Sequence, residues 1–330
     1  MEILDWDNLT GVHCGSSAIR NVVNFYGYDY PEELCFGLGC GLGFFYNKLY
    51  TSKPSEIIHL RAPNMEPLFF SKQGNEYEWK LEKNSHKAFK NLILELDEGN
   101  PIFLQTDLFY LKYYNSKIHF PGHVVLCVGY DMKNKNFILS DTNFKELQIV
   151  SFSDLDKARS SKAEPYPLNY NWFSIKKFSP FKNLELKIKN SIKLNSYNFL
   201  NGQNSLRGTS SIYSILEWLK GIQNWSKYDD SNEIFKFAYQ IIAKRGSKGA
   251  GFRCIYSDFL KIASSESKKI KVLKLYERMI DIANLWELIA LSLKKLSKKF
   301  NNNDFLNLKK EIHKVYELEL EYNMIVIDKV

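Results

Sequence analysis

The chain has 330 residues, of which 45% are hydrophobic and 15% aromatic, an ordinary globular composition long enough for a sizeable core and about two domains. Its five cysteines (Cys14, Cys35, Cys40, Cys127, Cys254) are odd in number and form no paired C-x-x-C set, which excludes a disulfide scaffold and a structural zinc site and points to a reducing cytoplasm. The start, MEILDWDNLT, lacks a basic region and an apolar core, and no apolar run reaches membrane-spanning length, so neither export nor a membrane is expected. The net charge of +8 comes from lysines densest between Lys182 and Lys193 and between Lys261 and Lys310. Such a surface suits solvent or an acidic protein partner. No helix-turn-helix, zinc-finger or RNP-type motif accompanies it, so nucleic acid is not the expected partner.

The first periodic stretch begins at Cys14: Ala18, Ile19, Val22, Val23 and Tyr26 recur at helical spacing, and Gly27 ends the run. Cys14 therefore falls on the first turn, where free backbone N–H groups and the positive end of the helix dipole favour a thiolate. A short helix is predicted over Pro31 to Leu38. The glycines at 37, 39, 41 and 43 that follow miss the G-x-G-x-x-G spacing of a dinucleotide loop, and are expected to let backbone pack closely under the cysteine helix.

An amphipathic helix is predicted over Ser85 to Glu98, then strands over Ile102 to Gln105 and Val124 to Tyr130. The second is almost wholly apolar, as a strand covered on both faces would be. A turn at Asp131 to Asn136 leads to a return strand, Phe137 to Ser140, which delivers Asp141. Further strands are expected near Leu147 to Phe152 and Trp172 to Ile175. The expected architecture is α+β: a first domain, residues 1–179, with the cysteine helix on an antiparallel sheet, and an α-helical domain, residues 180–330, covering the active site. Strand signals vanish after Pro180; helices are predicted around Leu184 to Leu200, Ser211 to Asn224, Asn232 to Lys244, Phe252 to Ser264, Ser267 to Phe300 and Asp304 to Tyr322. The final MIVIDKV reads as a strand.

A nucleophilic cysteine needs a base to hold its proton and an acceptor to orient that base. Of six histidines, His59 and His86 lie in polar stretches and His313 in a basic helix, leaving His13, His119 and His123. His123 opens the apolar strand, and Asp141 closes the next one. His119 and His123 stand at i, i+4, but Pro121 and Gly122 between them forbid the helix a metal pair would need, and no metal is expected. Asn8, with the Cys14 backbone N–H, is a candidate oxyanion donor, and Gln105 is its rival.

The segments HCGSSAIRNVVNFYGYDYPEELCFGLGCGLGFFY, PIFLQTDLFYLKYY, HFPGHVVLCVGYD and LSDTN resemble the N-terminal domain of the butirosin-biosynthesis-H-like family, and GAGFRCIYSDFLKIA resembles the helical domain that accompanies it. The resemblance implies a papain-like cysteine-peptidase fold turned to acyl transfer, with Cys14 as nucleophile, His123 as base and Asp141 as orienting acid. It further implies an acyl or peptidyl carrier protein as donor, its phosphopantetheine arm the only prosthetic group involved, and a small-molecule amine, an aminoglycoside or a simple diamine, as acceptor in antibiotic biosynthesis. Asp107, Tyr110 and His13 are then candidate substrate contacts, and Phe109, Tyr110, Tyr113 and Tyr114 a candidate cover against water. The residues themselves leave two other outcomes open: hydrolysis by the same triad, as in a peptidase or thioesterase, or a shell that binds without catalysis.

Overall fold

A computed structural model describes residues 1–49, 51–205 and 208–330. In chain order the elements are β1 (Glu2–Ile3), α1 (Cys14–Phe25), α2 (Glu32–Leu38), β2 (Leu42–Lys48), β3 (Glu56–Arg61), α3 (Met65–Ser71), α4 (Ser85–Asp97), β4 (Ile102–Thr106), β5 (His123–Asp131), β6 (Asn136–Ser140), β7 (Gln148–Ser151), α5 (Phe152–Ser160) and β8 (Trp172–Ser174). They continue with α6 (Leu184–Asn201), β9 (Gln203–Ser205), β10 (Gly208–Ser210), α7 (Tyr213–Gly221), α8 (Ser231–Ala243), α9 (Arg253–Glu266), α10 (Lys268–Val272), α11 (Leu275–Leu296) and α12 (Asn302–Lys329). The class is mixed α and β, with an antiparallel sheet and a helical C-terminal region. No described helix is long and apolar enough to cross a membrane.

The chain divides into two compact units: Met1–Cys35 with Asn64–Lys182, and Phe36–Pro63 with Asn183–Val330. The main division thus falls three residues beyond 179, and a segment from the first half, 36–63, belongs to the second unit.

In the first unit the antiparallel sheet runs β7-β6-β5-β4-β8, with β1 continuing alongside the end of β5. All nine residues of β5 are buried, as its unbroken apolar run predicts. Antiparallel partners share a face, so Ile102, Leu104, Val125, Cys127, Phe137 and Leu139 line one side and meet Leu92 and Leu96 of α4 and Leu155 and Ala158 of α5. The other side receives α1, whose Ala18, Ile19, Val22 and Val23 are buried, and α3, whose Phe70 meets Phe103 edge-on at 5.6 Å. The strand expected to run to Phe152 ends at Ser151, because the Ser151 side chain accepts the Asp154 N–H and caps α5 instead.

The second unit is built around α11, packed against α8, α9 and α12. Arg253, fully buried, donates through Nε to Glu319 at 2.7 Å and through Nη1 to the Gly251 carbonyl at 2.8 Å. Trp286 donates to the same Glu319 oxygen at 3.0 Å. Strands do not vanish after Pro180, since β9 pairs with β10; β2 and β3, from earlier in the chain, form a second separate hairpin in this unit. The helix expected over 267–300 is two helices, broken where Lys274 takes a left-handed backbone, φ 52°. MIVIDKV is not a strand but the last turns of α12, where Tyr322 and Val326 extend the buried row of Leu308, Ile312, Val315 and Glu319. The glycines close-pack as expected but on other partners. A Cβ at Gly37 would lie 2.1 Å from the Phe259 ring, and one at Gly43 2.4 Å from Ser210 Oγ and 2.8 Å from the Ala62 amide, so what they admit is the second unit's own core rather than the cysteine helix.

Candidate active site

The site grows from the start of α1. His13 stands before the helix with extended backbone (φ −120°, ψ 128°), and its ring accepts the Ser16 N–H, so an imidazole caps the helix that Cys14 begins. The Glu32 carboxylate, on the first turn of α2, accepts the N–H of His13 at 2.8 Å and of Val12 at 2.9 Å, and the Ser16 hydroxyl at 2.8 Å. Three donors on one buried carboxylate hold the approach to Cys14 rigid. Gly15 is needed for space: a Cβ there would lie 2.1 Å from Glu66 Oε1 and 2.9 Å from Met65 Cε.

The sheet brings the other groups. Thr106 pairs with His123 across β4 and β5, and Leu126 with Ser140 across β5 and β6, so the start of β5 and the residue after β6 come to one end. The helix is tied to that end by Ser17 Oγ and Thr142 Oγ1 at 2.7 Å, the Gly11 N–H on the Thr142 carbonyl at 3.0 Å and the Asn21 amide on Ser140 Oγ at 3.5 Å. Cys14, His123 and Asp141 are thereby gathered. His123 Nε2 lies 3.0 and 2.9 Å from the two Asp141 oxygens. His123 and Cys14 also interact, each shifting the protonation of the other.

The charges reinforce one another. Burial alone would raise the Cys14 thiol, but the field of His13, then hydrogen bonds from His123 and His13, bring it well below its ordinary value. Burial works against a protonated His123, yet the charge and hydrogen bonds of Asp141, aided by Cys14, push it up to about 10. Asp141 is likewise opposed by burial and still held below its ordinary value, by His123 and by two phenols. Both directions favour a thiolate beside an imidazolium.

Those phenols are Tyr113, which donates to Asp141 Oδ2 at 2.7 Å, and Tyr114, which donates to Oδ1 at 2.9 Å. The sequence suggests them as cover; their hydroxyls also fix the acid. The Tyr114 ring stands edge-on to His123 with centroids 5.4 Å apart, and its hydroxyl accepts the Asn143 amide at 3.1 Å. Glu32 and Ser16 are the other groups the sequence does not signal.

Two expected contacts, Asn8 and Asp107, resolve differently. Asn8 is no oxyanion donor, because its two amide protons go to the carbonyls of Phe144 (2.9 Å) and Lys145 (3.2 Å). Gln105 is buried on β4 and its Oε1 accepts the Asn171 amide at 2.9 Å. Asp107, fully buried, is no contact for an amine: it accepts the N–H of Phe109 and Phe120, the Ser161 hydroxyl at 2.7 Å and His119 Nδ1 at 2.7 Å. Tyr110 packs on Phe109 and His119, in that neighbourhood. No group of three or more His, Cys, Asp or Glu suited to a metal ion occurs among the described residues.

Against known protein families, residues 13–142 match the N-terminal domain of butirosin biosynthesis protein H, and residues 153–325 match a domain of unknown function, DUF4872. No curated protein matches the chain. The first match opens on His13 and closes one residue past Asp141, and the second alone spans more than half of the chain. The chain belongs to the two-domain family built on the N-terminal domain of butirosin biosynthesis protein H.

Proposed function

We propose that the protein is an acyltransferase of antibiotic biosynthesis, with a papain-like first domain, that moves an acyl group from a carrier-protein thioester through Cys14 to an amine. One observation carries the reading: a half-buried thiol set well below its ordinary range beside an imidazole that is itself fixed by a carboxylate. Element order supports the fold, with a cysteine at a helix start, a histidine at a strand start and an acid after the adjacent strand.

The Cys14 thiolate attacks the thioester carbonyl carbon, and the new C–S bond forms as the π electrons move to oxygen. Collapse breaks the bond to the carrier's sulfur, and His123 gives its proton to that leaving thiolate. Thioester exchange is close to isoenergetic and needs no nucleotide. With the Cys14 charge consumed, one support for the imidazolium is gone, and His123 becomes free to take the proton of an attacking amine. Expulsion of the Cys14 thiolate then completes the amide. Water must be excluded for the amine to win. A basic surface suits an acidic carrier protein.

Intact-protein mass spectrometry after mixing with an acyl-loaded carrier protein tests the scheme. An adduct on Cys14 that an aminoglycoside or a diamine releases faster than water does is the expected result. Amine-independent decay would make the enzyme a thioesterase, and no adduct would remove the acyl-enzyme.

A further inference from the structure

We propose that α11 pairs with the same helix of a second copy of this chain, antiparallel across a two-fold axis that passes between Leu288 and Leu291. One side of α11 is buried in the second unit, through Met279, Ile282, Trp286, Ile289 and Leu293. The opposite side is a stripe spaced alternately by three and four residues: Asp281, Asn284, Leu288, Leu291, Lys295 and Lys298, all exposed. Such spacing is the seam of a two-helix coiled coil. Lys298 lies just past the last helical residue, but its N–H still bonds to the Lys295 carbonyl at 3.0 Å, so it follows the same path.

The order of chemistry along the stripe selects the occupant. An acid stands at one end, two leucines 52% and 53% exposed at the centre, and two lysines at the other end. A single exposed leucine is ordinary; a pair on adjacent turns between opposite charges is complementary to itself. With the axis between the leucines, each Leu288 meets Leu291 of the second copy, Asn284 meets Lys295, and Asp281 meets Lys298, the isologous contact that two-fold symmetry requires. A parallel pair would set Asp281 on Asp281 and each lysine on itself. Among the described residues, Asp281, Lys295 and Lys298 have no ion-pair partner within the chain, so these charges are available to a neighbour. A groove of about 390 Å³ between the leucines and Glu311 of α12 leaves room for the opposing side chains. An acidic carrier protein would be repelled by Asp281 at one end, whereas a second copy meets both ends with the opposite charge. The stripe spans only about 26 Å, an interface at the small end of specific ones, so the dimer should depend on concentration.

Sedimentation velocity on the full chain across about 1–100 µM reads the assembly. The wild type should pass from monomer to dimer, and Leu288→Ser combined with Leu291→Ser should raise the dissociation constant at least about tenfold. Asp281→Lys and Lys298→Asp should each do the same by setting like charges opposite one another. A chain carrying both reversals should dimerise as the wild type does. Loss in each single variant with recovery in the double one belongs to the antiparallel register, because in a parallel pair each residue meets itself. Asn284→Asp, which offers a carboxylate to Lys295 of the second copy, should tighten the dimer about threefold, a gain that no folding defect can imitate. A wild type that stays monomeric throughout overturns the proposal, as do single reversals that leave the dimer untouched and a double reversal that stays monomeric. A monomeric wild type that binds an acidic carrier protein, and loses it in Lys298→Asp, would give this face to the carrier instead.

Discussion

The first unit holds two Asp–His pairs of similar geometry and different character. In one, His123 is nearly fully buried, its Nε2 faces both Asp141 oxygens, and its interaction with Cys14 lowers the thiol. In the other, His119 stands 2.7 Å from Asp107, but its side chain is 42% exposed, its ring stacks on Phe109 at 4.1 Å, and its carboxylate also serves two backbone amides and a hydroxyl. Asp141 accepts only side-chain donors, all from groups that orient or surround His123. Asp107 instead ties the loop 108–120 to itself. The lesson is that a histidine beside a carboxylate becomes a chemical device only when the carboxylate is not already spent on backbone.

The strongest way to break this contrast is to delete each histidine. Cys14→Ala should give no acyl adduct, and His123→Ala should lose at least about 10³-fold in adduct formation, whereas His119→Ala should stay within about threefold. Equal losses at the two histidines would erase the distinction. The acids sharpen it. Asp141→Asn should slow acylation by about 10²-fold while retaining the fold. Asp107→Ala should leave the rate per folded molecule alone but cost about 2–4 kcal/mol, because two buried amides lose their acceptor; a denaturant midpoint reads the second and adduct kinetics the first.

Labelling with iodoacetamide gives the next effect in size. Cys14 should react at least about tenfold faster than Cys254 at pH 7, and ahead of Cys35 and Cys127. The Cys14 thiolate forms at a pH well below the ordinary thiol range, and His123 holds its proton up to about 10. Its alkylation rate should therefore be near its plateau at neutral pH and stay flat until the imidazolium is lost. Burial and the nearby Glu287 push the Cys254 thiol up, so its rate should climb through the alkaline range and the ratio should shrink. A Cys14 profile that climbs in step with Cys254 would deny the ion pair. Smallest of all should be Tyr113→Phe and Tyr114→Phe, each costing a few-fold in rate. Each phenol draws carboxylate charge away from His123, so its removal should move the alkaline limb of the Cys14 profile to higher pH; a lower limb would mean that the ring merely excludes water.

Much of the reacting set is legible in the sequence because each member is announced locally. Helical spacing puts Cys14 on a first turn, and an apolar run bounded by His123 and a turn puts Asp141 at the end of the return strand. The supporting groups announce nothing of the kind. Glu32 reads as a charge at the start of a short helix, and Tyr113 and Tyr114 as aromatics in a loop; their roles depend on pairings across 16 to 28 residues that no periodicity reports. Asn8 and Asp107 fail as substrate-facing groups for the converse reason, since nearby backbone claims them first. MIVIDKV shows the limit of propensity. Its branched residues suit a strand, but Val326 continues a buried helical row, and packing overrides local preference.

Gly15 carries a different consequence. A methyl carbon at that position would meet the ends of the Glu66 and Met65 side chains, so the residue next to the nucleophile can vary only if those side chains swing aside, while the cap before it is open to several residue types. Anyone redesigning this centre has one freely adjustable neighbour of Cys14 and one that is coupled to its surroundings. Reactivity can be tuned from the His13 side, whereas the Gly15 side can be changed only together with Glu66.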